Sequence, residues 1–166
     1  MRNIGEIALL NARYYPNKRA VVDSTKEFTW KEVNDRTNRI ANALISMGCR
    51  KGERIALLSY NSSEYIEITF ACAKLGLVFV PLNFRLALKE IAYILKDSTP
   101  TTLFFGEAFS ETVSNLRSSF TLNYICMGEK IEWAHEYEAF LSSGSPLEPS
   151  TEEIIGEDPA EILYTS

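Results

Sequence analysis

From residue 29 to residue 47, Val33, Thr37, Ile40, Ala41, Leu44 and Met47 recur every three or four positions, and Asp35, Arg36 and Arg39 fall between them. Such a stripe predicts an amphipathic helix with one face on a core and the other, carrying those charges, in water. Thr29-Trp30-Lys31-Glu32 stands at its start in the S/T-x-x-E order of a capping box, and Gly48 supplies the stop. Residues 64–75 predict a second helix, apolar around most of its circumference through Ile66, Ile68, Phe70, Ala71, Cys72, Ala73 and Leu75, and ended by Gly76. A helix so poorly hydrated must be well buried. Leu88, Ile91, Ala92 and Leu95 share one face of a third, over 88–96; residues 4–15, stopped by Pro16, and 133–141 predict further amphipathic helices, and a weaker helical pattern runs over 107–118.

Short apolar runs separate these helices. Ile55-Ala56-Leu57-Leu58, Val78-Phe79-Val80 (ended by Pro81), 102–105 and 122–127 read as buried parallel strands, and 160–164 as a last one. Residues 20–23 and 28–29 flank a polar turn and predict a hairpin. Strands that alternate with helices predict βαβ units with right-handed crossovers: an α/β fold whose mainly parallel sheet is flanked by helices. Residues 142–159, rich in Ser, Pro and Glu, read as a polar surface connector within a single domain spanning 1–166.

With 46% apolar and 23% charged residues in 166, the chain has the material for one ordinary core. Its net charge of −5 is spread without a basic run, which argues against a nucleic-acid partner. No apolar stretch approaches the roughly 20 residues a transmembrane helix requires, and the N-terminus lacks the apolar run of a secretory signal, so a cytoplasmic location is expected. Cys49, Cys72 and Cys126 lie far apart without C-x-x-C spacing, so neither a disulfide frame nor a metal site is expected. His135, the single histidine, sits in a polar patch and reads as a surface residue; Glu152-Glu153 and Glu157-Asp158 lack the alternation of a calcium loop.

Three segments, in order, resemble core motifs of the adenylate-forming superfamily of acyl-CoA synthetases, adenylation domains and luciferases. Phe28-Thr29-Trp30-Lys31-Glu32-Val33 is similar to L-[TS]-Y-x-E-L, and Ala73-Lys74-Leu75-Gly76-Leu77-Val78-Phe79-Val80-Pro81-Leu82-Asn83 to L-K-A-G-x-A-Y-V-P-L-[ND]. The third runs from Glu157 to Tyr164-Thr165-Ser166 and looks like the approach to Y-T-S-G-T-T-G-x-P-K-G. The resemblance covers nearly the whole chain and implies the N-terminal subdomain of an AMP-forming acyl-CoA synthetase, with the glycine-rich loop and C-terminal domain absent. It implies a parent enzyme that joins a carboxylic acid to CoA with ATP and Mg²⁺ through an acyl-adenylate. None of these is expected to be bound by the present chain, which should be inactive.

By the same resemblance Thr165 and Ser166 begin the loop that cradles the ATP phosphates, and no catalytic residue is assigned. Asn83, Arg85 and Tyr164 are substrate-binding candidates, although turn chemistry accounts for Asn83, a surface ion pair for Arg85 and a strand end for Tyr164. Pro81-Leu82-Asn83-Phe84-Arg85-Leu86 is similar to fatty-acyl-CoA ligases and implies a fatty acid. An amino-acid or aryl-acid adenylation domain shares the motifs but more often places Asp at Asn83. A non-catalytic doubly wound module would show a glycine-rich loop after its first parallel strand, where Ser59-Tyr60-Asn61 stands. Truncation should bare an apolar face and the last strand, so the chain is expected to self-associate.

Overall fold

The computed structural model describes residues 3–165. Helix α1 (Glu6–Tyr14) leads into a hairpin of β1 (Arg19–Val22) and β2 (Glu27–Thr29), paired antiparallel. Then follow α2 (Trp30–Ser46), β3 (Arg54–Leu58), α3 (Ser63–Leu75), β4 (Val78–Leu82), α4 (Leu88–Ser98), β5 (Thr102–Gly106), α5 (Ser110–Leu116), β6 (Asn123–Met127), β7 (His135–Glu136) and α6 (Tyr137–Ser142). Strands β3 to β7 form one parallel sheet in the order β4-β3-β5-β6-β7, so the chain steps to one side of β3 and then to the other.

The pleat divides the apolar strands between two cores. Ile55, Leu57, Phe79, Phe104 and Ile125 point to α2, α3 and α6, where they meet Ile40, Leu44, Ile68 and Phe140. Ala56, Leu58, Val80, Leu103, Phe105 and Cys126 point to α4 and α5, where they meet Ile91, Leu95 and Val113. Burial on both faces explains why these strands read as continuous apolar runs. The capping box forms: the Thr29 hydroxyl accepts the Glu32 N–H, and Glu32 accepts the Thr29 N–H at 2.8 Å. Gly76 ends α3 in the left-handed region (φ 63°), which a side chain would strain.

Four expectations need correction. Pro81 lies within β4 and does not end it, because β4 is an edge strand. The Val78 N–H bonds inward to Glu53 and the Phe79 N–H outward to Ala160, so by alternation the missing N–H of Pro81 is an outward one. The strand expected over 160–164 accordingly shrinks to one bridge, Glu161 with Phe79. Phe79 N–H bonds to Ala160 O and Ile162 N–H to Phe79 O, and the next rung would need a donor at 81.

The helix expected over 133–141 begins only at Tyr137. Trp133 stacks on Phe105 in one core at 5.5 Å between rings, while Tyr137 and Phe140 lie in the other. No single helix face serves both sides of a sheet, so the chain crosses the edge as β7, which carries the exposed His135. Finally, Arg36 is not on a wet face: its side chain is largely covered and pairs with Glu67 and Glu138. Residues 143–159 carry no helix or strand and are mostly exposed, while Glu148 among them pairs with the buried Lys74.

Candidate functional site

In an open parallel sheet, ligands sit beyond the carboxyl ends of the strands where the strand order reverses. Here that point lies between β3 and β5, and a cleft of 390 Å³ opens there, lined among others by Ser59, Tyr60, Gly106, Glu107 and Phe109. Tyr60 bridges Phe84 and Phe109, with ring centroids 4.9 and 5.0 Å away. The charges in the cleft suit phosphate poorly. Glu64, Glu107, Glu136 and Glu138 line it with Lys26 as the basic residue, and Lys26 is already paired with Glu64. Glu136 is occupied as well, since its two oxygens accept the N–H groups of Glu138 and Ala139 at 2.8 and 2.7 Å.

Beneath the cleft lies a buried ionic network. Glu67, fully inaccessible, accepts Arg36 Nε at 2.7 Å and Nη2 at 3.2 Å, and the Tyr137 hydroxyl at 2.6 Å. Arg36 also donates to Glu138 at 2.6 and 3.1 Å and lies over the Phe28 ring. Burial pushes the Glu67 carboxyl above the usual range, against the pull of Arg36 and Tyr137. Burial also raises the Tyr137 phenol, which therefore remains a donor. This network joins α2, α3 and α6 and holds the cleft floor.

The residues singled out in the sequence are dispersed. Asn83 and Arg85 are exposed where β4 ends; Asn83 Oδ1 accepts the Arg85 N–H at 3.0 Å, a side-chain-closed turn. The Arg85 guanidinium lies 5.4 Å from the Phe84 ring centre and makes no ion pair among the described residues, contrary to the surface pair expected of it. Tyr164 is half-buried, and its hydroxyl donates to Asp97 Oδ2 at 2.6 Å; burial, with that carboxylate, raises the phenol. Asp97 is near the far end of α4, nine residues or about 13 Å from the Leu88 end next to Asn83 and Arg85. Tyr164 and the Asn83–Arg85 turn are thus not brought together. Thr165 is exposed, and Ser166 lies outside the described residues.

The sequence pattern of the AMP-binding enzyme family matches residues 10–166. The chain belongs to that family. Over 166 residues, all of this chain and 31% of the relative, it is 30% identical to a fatty acid–[acyl-carrier-protein] ligase of Streptomyces coeruleorubidus. Over 170 residues it is 33% identical to a long-chain-fatty-acid–CoA ligase of Mycobacterium tuberculosis, matching all of this chain and 33% of that one. It is 40% identical to a feruloyl-CoA synthase of an Amycolatopsis species over 118 residues, 70% of this chain and 24% of the relative. Its fold superimposes with a TM-score of 0.94 on an anthranilate CoA ligase in complex with anthranoyl-AMP, at 26% identity, covering 99% of this chain and 32% of that one. The chain thus spans between a quarter and a third of these relatives' lengths. Within this chain the buried charges Glu67 and Lys74 escaped sequence reasoning, and Arg36 was placed in water; the sole signal was a charged residue at helical spacing among apolar neighbours.

Proposed function

We propose that the chain is the N-terminal α/β part of an acid–thiol ligase. In the reaction proposed for the whole protein, a carboxylate attacks the α-phosphate of ATP and pyrophosphate leaves. A thiolate, of CoA or of a carrier protein, then attacks the acyl-adenylate carbonyl and AMP leaves. The observation that carries this reading is the superposition, over nearly the full chain, on a ligase that holds an acyl-adenylate. The carboxylate-lined cleft speaks against the rival reading of a self-sufficient nucleotide-binding module.

The described residues do not by themselves fit ATP or Mg²⁺. Thr165 offers one exposed hydroxyl, and no group of three or more His, Cys, Asp or Glu among the described residues is arranged to hold a metal. The phosphate-binding role of Thr165 and Ser166 therefore rests on resemblance. Asn83 and Arg85 remain binding candidates as exposed groups at the carboxyl end of a strand. No described helix is long and apolar enough to cross a membrane, and a cytoplasmic location suits the use of ATP and CoA.

For the acid, a fatty chain is the first reading, supported by two of the relatives. An aryl acid is the second, supported by the feruloyl and anthranilate ligases. A protein of the relatives' full length, assayed for ATP–pyrophosphate exchange with fatty and aryl acids, tests both. Exchange with fatty acids is expected, and exchange with aryl acids alone would shift the assignment. No exchange with any carboxylate would refute a ligase. The 166-residue chain alone should show none.

A further inference from the structure

Residues 143–165 run mostly exposed over the surface but are tied down at successive points. Arg39 donates to Gly144 O at 3.0 Å, Asn38 to Pro146 O at 2.9 Å, and Asn42 to Ser145 O and Leu147 O, each at 2.9 Å. Asn34, Asn38 and Asn42 are spaced by four and form one polar stripe of α2, in which Asn38 and Asn42 bond the backbone of this segment and Asn34 bonds the Glu148 side chain. Further on, Lys51 donates to Glu153 O at 2.8 Å and pairs with Asp158 at 2.7 Å, before Ala160 and Ile162 bond to Phe79.

The strongest tie is at Glu148. Lys74, a buried ammonium on α3, spends its three hydrogens on Glu148 Oε2 at 2.7 Å, Asn34 Oδ1 at 2.8 Å and Asn38 Oδ1 at 2.6 Å. Both carboxamides donate in turn to Glu148 Oε1, at 2.9 and 3.0 Å. Every polar atom of the four side chains' heads is engaged, Asn38 Nδ2 also reaching Pro146 O, and a buried charge without its partner is costly. Such a set holds one geometry or fails as a unit.

We propose that Lys74 is a positioning residue: acting through Glu148, it fixes the path by which residues 149–165 cross the base of the sheet and leave along β4 toward Thr165. Its relevance to the phosphate loop rests on the ligase reading above, whereas the positioning itself does not. Lys74 touches no residue assigned to substrate; it acts on where the segment lies.

Hydrogen exchange on the chain, read peptide by peptide, tests this. In Glu148→Gln, whose position is partly exposed, amides of residues 153–162 should exchange about 10-fold faster or more, while β3 and β5 keep their protection. Lys74→Met should give the same regional pattern. In the double variant the two effects should not add, because both remove one interaction. If Lys74→Met fails to fold, the single Glu148→Gln pattern still decides. Unchanged exchange over 153–162, acceleration shared equally by β3 and β5, or full additivity in the double variant would overturn the proposal. Since no ATP chemistry is measured, failure here and failure of the ligase reading are separate results.

Discussion

Replacing Arg36 by Met would leave the Glu67 carboxylate, fully inaccessible, with the Tyr137 hydroxyl as its remaining donor. Glu138, half exposed, would lose the same partner but can turn to water. Removing one member of a buried ion pair costs about 3–5 kcal/mol, because the other charge remains desolvated. That is a large share of a typical folding stability of about 5–15 kcal/mol. For a chain of this size each kcal/mol shifts the melting midpoint by about 2–4 °C, so Arg36→Met should melt about 6–20 °C lower. Urea unfolding followed by circular dichroism gives the free energy directly. The double variant Arg36→Met, Glu67→Met should recover most of the loss, since apolar side chains of similar length can replace a buried pair at little cost. The deficit of the single variant should also shrink in mild acid. Burial raises the folded pKa of Glu67 above its unfolded value, so the penalty is present above the folded pKa and is relieved as pH falls through it. A loss under about 1 kcal/mol at neutral pH, or a double variant as unstable as the sum of the singles, would refute the assignment of Glu67 as a buried, Arg-dependent charge.

Gly144→Ala should destabilise by about 1–3 kcal/mol in the same assay, because a β-carbon there would come 1.9 Å from Arg39 O on α2; an unchanged midpoint would contradict that close approach. Acid should weaken the chain through Glu148, where burial opposes ionisation but hydrogen bonds from Lys74, Asn34 and Asn38 hold the folded pKa below the ordinary 4.5. The stabilisation is complete above about pH 4.5 and lost as pH falls through the folded value, so wild type and Glu148→Gln should converge in acid; a constant gap between them would count against it. Self-association at tens of micromolar is still expected, on narrower grounds: Ile66 on α3 and Leu163 are exposed, the latter at 67%, while most of α3 is covered. Sedimentation equilibrium showing one species at 18.8 kDa would disprove it.

The parts of this fold that could be read from sequence are those decided by neighbours along the chain. The Thr29–Glu32 box, the Gly76 stop and the apolar runs of β3 to β6 depend on residues within a few positions, and they appear where expected except that β4 runs on through Pro81 to Leu82. Arg36 and Lys74 were misjudged or passed over because their partners are remote: Glu67 and Glu138 for the first, Glu148 for the second. A charge opposite an apolar stripe looks wet until another element covers it. Residues 142–159 have the composition of a loop and lie mostly exposed, but the bonds of their carbonyls to Asn38 and Asn42 on α2 join remote positions and could not be read. At the candidate site, the turn at Asn83 was legible because its hydrogen bond spans two residues. The switch-point cleft was not, since it requires the order of strands across the sheet.

Pro81 has a consequence out of proportion to its size. The edge of β4 offers an outward donor at Phe79 and, two residues on, a ring nitrogen with no hydrogen to give. The sheet therefore admits the incoming chain for one rung and refuses it the next, which frees Ile162 and Tyr164 to fold over α4. A valine at 81 would restore the missing donor. A single absent hydrogen thus marks the place where pairing stops, more than eighty positions upstream of the segment that turns away there.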